Sequence, residues 1–302
     1  MSAPVPASAQ DLTYFSTTTL EVSGALSRAL SSTVDVDYPI AQLVCFKGSR
    51  VRLDGEDASS ILDWSSGVQT FLDHTDRTFL RFDFTQMAGA TAESPPRRDP
   101  AAGTSAEVTR TMFRTWRKDV IAGYAAEQLV LVVELKPQNA GGSQETRVGA
   151  TVFVTDLWLS SEFPEYRTRR EMAPEALAQY RRIGRPAGVS EILHALSGAN
   201  ALLARGWEES MAAVEELEGT VLHSVTHFVV LPPGSALDRA KVLEAAGEAV
   251  EEVSGLVRGT PRPTRQVVVM RVRTDISGVK TDAVADSWFD IPSSYRPKGS
   301  AE

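Results

Sequence analysis

VCFKGSRVRLDGEDASSILDWSSGVQTFLDHTDRTFLRFDFTQM, residues 44–87, decides how this chain folds. Bulky apolar residues alternate with polar ones. Val51 and Leu53 alternate with Arg50, Arg52 and Asp54, and Ile61, Leu62 and Trp64 follow the turn Asp54-Gly55-Glu56-Asp57. Ser65-Ser66-Gly67 then separates these from Val68, Phe71 and Leu72, and Asp73-His74-Thr75-Asp76 separates those from Phe79, Phe82 and Phe84. Runs this short, with a period of two and turns this close together, predict an antiparallel meander of hairpins.

Working outward, Asp11 to Val22 is rich in Thr, Tyr and Phe and reads as a strand. Pro39 to Phe46 leads into the meander, and Gly89 to Ser105, rich in Ala, Pro, Gly, Ser and Thr, reads as a loop. Glu107 to Asp119 fits a short helix or a strand. Leu129 to Val133 is apolar at every position, which predicts a strand covered on both faces. With Gln144 to Leu159 it forms a long hairpin across the turn 137–143.

Helices follow. The pattern predicts one over Glu171 to Ile183 and a longer one over Val189 to Leu217, broken or kinked at Gly206. Leu243, Ala246, Val250, Val253 and Val257 form one stripe of a third helix, Leu237 to Val257. Strands are expected over Gly219 to Val230, Arg265 to Ile276 and Ser287 to Ile291. About ten strands, mostly sequential neighbours, predict an α+β fold. It is a curved, mostly antiparallel sheet, an incomplete barrel, with helices packed on its concave face. Residues 1–10 form a tail and 11–302 a single domain with a helical insert around 170–217.

The 302 residues suffice for a substantial core. A net charge of −8 argues against nucleic acid as the main partner, because phosphate binding needs a basic surface. No apolar run is long enough for a membrane-spanning helix. Cys45 is the only cysteine, so no intrachain disulfide forms, and its apolar neighbours suit a small buried hydrophobe. Ser2 to Gln10 carries small residues in an A-x-A pattern at Ala7 and Ala9, which resembles the end of a secretory signal peptide.

Candidate chemistry is sparse. His223 and His227 are four residues apart on a predicted strand, about 13 Å, too far to share one ion. Asp73-His74-Thr75-Asp76 is explained by turn chemistry, and Asp54 to Asp57 lacks the ladder of a calcium loop. No G-x-S-x-G, P-loop or G-x-G-x-x-G occurs. No catalytic residue, metal ligand or cofactor is therefore assigned. A hydrolase would need a Ser or Asp beside His74, His223 or His227 in a cleft. The aromatic residues Trp64, Phe71, Phe79, Phe82, Trp158 and Phe228 are candidates for lining an apolar cavity. Arg167, Arg169, Arg170, Arg181, Arg182 and Arg185 form a local basic patch suited to an anionic headgroup or an acidic partner.

Lys47-Gly48-Ser49-Arg50-Val51-Arg52 resembles the "KGdrmR" strand of a family of uncharacterised secreted bacterial proteins. Asp63, Phe71-Leu72-Asp73-His74 and Thr78-Phe79 resemble its following strands. Thr155 to Ser160 with Pro164 resembles its "DlWls…vP" segment, and Phe289 to Tyr295 its closing "FeiPagY". That family is similar to the LolA/LolB lipoprotein-carrier fold, an incomplete antiparallel barrel lidded by helices, for which no catalytic residues are defined. The resemblance implies a periplasmic or secreted, non-enzymatic protein that holds a lipid, an acyl chain or a lipidated peptide between sheet and helices. The alternative is a protein–protein interaction module that uses a sheet edge or the long helices.

Overall fold

The computed structural model describes residues 11–22, 39–85, 106–137, 150–184, 201–231, 236–237, 257–258 and 268–298. The strands are β1 (Leu12–Val22), β2 (Ile40–Lys47), β3 (Arg50–Asp54), β4 (Ala58–Asp63), β5 (Val68–Asp73), β6 (Thr78–Asp83), β7 (Ala106–Ile121), β8 (Tyr124–Pro137) and β9 (Thr151–Ser160). Helices α1 (Pro164–Glu171), α2 (Pro174–Ile183) and α3 (Ala201–Glu215) follow. Then come β10 (Thr220–Val230), β11 (Ala236–Leu237), β12 (Val257–Arg258), β13 (Val268–Lys280) and β14 (Arg296–Pro297). One large curved sheet has the order β14-β6-β5-β4-β3-β2-β1-β13-β10-β9-β8-β7, and β11 pairs separately with β12. Every pairing is antiparallel except β14 on β6. The fold is α+β and the sheet is compatible with an incomplete barrel, but it has twelve strands rather than about ten.

The meander forms as its alternation predicts. Val51, Leu53 and Leu62 are buried on the face covered by α1 and α2, here called the inner face. The hairpin ends share a chemical device at ten-residue spacing. The carboxylates of Asp63, Asp73 and Asp83 accept the backbone N–H groups of Ser65 (3.0 Å), Asp76 (3.0 Å) and Thr85 (2.9 Å). Such Asx turns satisfy backbone donors where the strands run out. The sixteen-residue strand β7 resolves the helix-or-strand alternative. It returns to β8 through Ala122 (φ 52°) and Gly123 (φ 88°), the two positive-φ positions of a tight hairpin.

Several expectations are corrected. The helix expected over Glu171 to Ile183 is α2, which starts only at Pro174; Glu171 ends a separate helix, α1, that the sequence reading does not contain. Proline at the start of α2 holds Ala173 extended (ψ 154°), so the chain cannot stay helical through it. Gly206 does not break α3, which runs through it, because the glycine leaves room for the Phe153 ring against the helix backbone. Asp286–Phe289 is a 3₁₀ turn, not a strand: the segment crosses a sheet face instead of pairing at an edge, and Phe289 is buried there. The two ends of the helix expected over Leu237 to Val257 are strand residues, Leu237 in β11 and Val257 in β12; residues 238–256, the part of the preceding helix before residue 201, and Arg185 lie outside the described residues.

The inner face carries two apolar cores. Leu129, Leu131, Val133, Phe153, Phe228 and Met270 pack under Leu203 and Trp207 of α3. Leu12, Val44, Phe46, Val51 and Ile276 pack under Phe163, Met172, Ala176 and Tyr180. Leu129 to Val133 is buried throughout, as its unbroken apolar run requires. The other face of the meander is clasped by the C-terminal segment, with Val284 and Phe289 on Cys45, Ile61 and Leu72. None of the described helices is long and apolar enough to cross a membrane.

Candidate functional site

The inner face is not apolar throughout. Along β1 its residues are Leu12, Tyr14, Ser16, Thr18 and Leu20: an apolar pair, two hydroxyls, then a leucine of the other core. The same interruption recurs on the neighbouring strands at Thr274 of β13, Ser224 and Thr226 of β10, and Thr155 of β9. The registers Thr18↔Thr274, Ser224↔Thr274 and Thr226↔Thr155 place them side by side. Thr18 and Thr274 share a hydrogen bond of 3.1 Å, as do Thr155 and Thr226. A stripe of hydroxyls thus crosses four adjacent strands between the two cores.

Above this stripe, α2 and α3 leave a cleft of about 230 Å³. Its apolar wall is Leu157, Trp207, Met211, Val214, Val272 and Ile276; its floor includes Ser16, Thr155, Ser224, Thr226 and Thr274. Small-molecule sites usually run from about 300 to 1,000 Å³. The cleft in this conformation therefore holds a small group or part of a chain, and a larger ligand requires α2 and α3 to separate.

Among the described residues four charged side chains line the cleft, in two pairs. Glu165, in the first turn of α1, is buried. It accepts the phenol O–H of Tyr14 (2.6 Å) and of Tyr180 (3.1 Å), and lies 3.4 Å from Arg169 Nε. Burial, then the neighbouring carboxylate, holds both phenols well above the usual tyrosine range, so they donate and do not ionise. This network ties α1 and α2 to β1. Arg169 Nη2 also donates to Gly219 O (2.5 Å). Arg181 joins α2 to the end of α3: its Nη2 donates to Glu215 O (3.0 Å) and its Nη1 lies 3.7 Å from Glu215 Oε2. Among the described residues the Nε atom of Arg181 is buried without an acceptor.

The structure divides the arginine patch. Arg169 and Arg181 line the cleft, Arg167, Arg170 and Arg182 are exposed, and Arg185 is outside the described residues. The six candidate aromatics are not brought together, and none of them lines this cleft. Trp64, Phe82 and Trp158 pack at the margin of the second core, Phe228 is stacked on Trp207 in the first, Phe79 packs beneath the C-terminal segment and Phe71 is exposed. The sequence does not mark Trp207, Met211 or the hydroxyls as site residues. Their signal there is faint: single Ser or Thr residues at inward positions of otherwise apolar strands.

Two histidines have partners of the kind a hydrolase needs. His74 Nε2 is 2.6 Å from Ser59 Oγ, and its Nδ1 is 2.6 Å from Tyr295 Oη. Ser59 is only 2% exposed and its hydroxyl donates to Asp54, so no substrate carbonyl reaches it. The group fastens the C-terminal segment instead. His223 Nδ1 lies 2.7 Å from Asp275, which Arg273 also engages, and among the described residues no serine joins them. Among the described residues, no group of three or more His, Cys, Asp or Glu side chains is placed to hold a metal. No family model and no curated protein matches the chain.

Proposed function

We propose that this protein is a non-enzymatic binding protein that holds an apolar chain between its sheet and its helices, with entry governed by α2 and α3. The observation that carries the proposal is the cleft over the hydroxyl stripe: two packed cores flank a gap that neither fills. Trp207, Met211 and Val214 supply the apolar wall, and burial of a chain there is worth about 0.8 kcal/mol per methylene. Resemblance to the LolA/LolB fold supports the same reading. An extracytoplasmic location belongs to the proposal on the strength of that resemblance. Native mass spectrometry of the protein from its own host, followed by solvent extraction, provides the test. A near-stoichiometric extractable lipid is the expected result; an apo mass that stays apo after exposure to host lipid extract would overturn it.

One observation favours a protein-interaction module instead. β7 is the last strand in the sheet order, and its Trp116 and Val120 are 76% and 69% exposed. Edge strands with apolar side chains recruit partners. Arg114 and Lys118 and the irregular register around Trp116 (φ 63°) count against it, since charges and bulges blunt an edge. Trp116→Ala that abolishes a stable complex in solution would favour this second reading.

A further inference from the structure

We infer that the cleft selects an uncharged amphiphile, with its apolar chain on Trp207 and Met211 and a hydroxyl-bearing end over Ser16 and Ser224. The inference rests on the proposal that the cleft is a ligand site. Among the described residues its charged lining cancels: Arg169 is matched by Glu165 and Arg181 by Glu215, leaving no surplus of either sign. A charged headgroup would have to break one of these pairs or enter without a counter-charge, and either course is unfavourable beside the buried Glu165. The arginines therefore brace the helices and offer donors, but provide no net attraction for an anion.

The floor supplies the complementary chemistry. Thr18 and Thr274 bond to each other, as do Thr155 and Thr226. Among the described residues the Ser16 and Ser224 hydroxyls have no protein hydrogen-bond partner, although both line the cleft. Each hydroxyl offers one donor and two acceptor sites. They suit neutral oxygens that both give and take hydrogen bonds, as in an alcohol or a sugar. A simple hydrocarbon would leave these groups unsatisfied.

Calorimetric titration of the full chain with three eight-carbon probes below their micellar concentrations tests this: octyl β-glucoside, octanoate and octyltrimethylammonium. The glucoside is expected to bind one to one, at least about tenfold tighter than either ion. Ser16→Ala with Ser224→Ala is expected to weaken it about tenfold, the worth of one or two net hydrogen bonds. Met211→Trp, which fills the cleft, should abolish binding. Equal or tighter binding of octanoate or the ammonium ion, still lost in Met211→Trp, would overturn the neutral-ligand inference while leaving the cleft a ligand site. Glucoside affinity unchanged in the double serine variant would likewise overturn it. Binding of none of the three probes would remove both claims.

Discussion

Gly206 shows how a residue read locally is reassigned by its neighbour. In the sequence it marks a weak point of a helix; in the fold it is where the Phe153 ring meets the backbone of α3. Gly206→Ala should therefore destabilise, despite alanine's better helix propensity, by about 1–3 kcal/mol through overpacking. Urea denaturation measures this, and a neutral or stabilising result would contradict the packing. Cys45 is fully buried between strands, and burial, aided by nearby Asp54, pushes its thiol up to about 11. The native protein at pH 8 should resist Ellman's reagent, reacting only on the timescale of unfolding. Asp156 is buried, which raises its carboxyl above the usual range despite hydrogen bonds from Gln128 and Trp158. A folded-state value above the unfolded one means that the native state holds the proton longer. Stability must fall as pH rises from the unfolded value, about 3.9, through the folded one. Asp156→Asn removes that loss, so its stability relative to wild type should grow between pH 4 and pH 7 in thermal melts. A constant difference would show that Asp156 does not titrate as its burial requires.

The elements were legible where a single stretch contains its own instructions. The meander follows from alternation and from Asp63, Asp73 and Asp83 at the hairpin ends, since turn chemistry and strand period act over a few residues. The C-terminal segment reads as a strand but forms a 3₁₀ turn, because its order comes from distant partners. Lys47 Nζ donates to Val284 O (2.5 Å), Arg52 to Trp288 O (2.8 Å), and Arg50 pairs with Asp286 and stacks on Phe289. The polar residues of β3, which look like a solvated face, are thus the clasp for residues almost 240 positions away. Tyr295→Phe removes the bond to His74 and should cost about 1 kcal/mol. Hydrogen exchange should then quicken at the β14–β6 pairing, where Arg296 N–H meets Arg77 O (3.1 Å), while α3 is unchanged. Uniform quickening across the sheet would contradict the assignment of a local clasp.

At the scale of the molecule, the hydroxyl stripe is the feature that no stretch of sequence announces. Ser16, Thr155, Ser224 and Thr274 come from four strands spread over most of the chain and meet only through the order β1-β13-β10-β9. Each is unremarkable alone, because Ser and Thr are common in strands. The aromatics drew attention for their size, yet size is what core packing uses, and most of them fill or border the cores. A gap between two cores lined with hydroxyls is the arrangement from which binding is proposed. Methyl resonances of carbon-13-labelled methionine test it most directly, because Met211 lines the cleft, Met172 sits in the second core and Met112 is exposed on the edge strand β7. On titration with octyl β-glucoside the Met211 signal should shift and saturate while Met172 and Met112 stay in place. A Met211 signal that remains fixed while Met112 or Met172 moves would contradict a ligand site between sheet and helices.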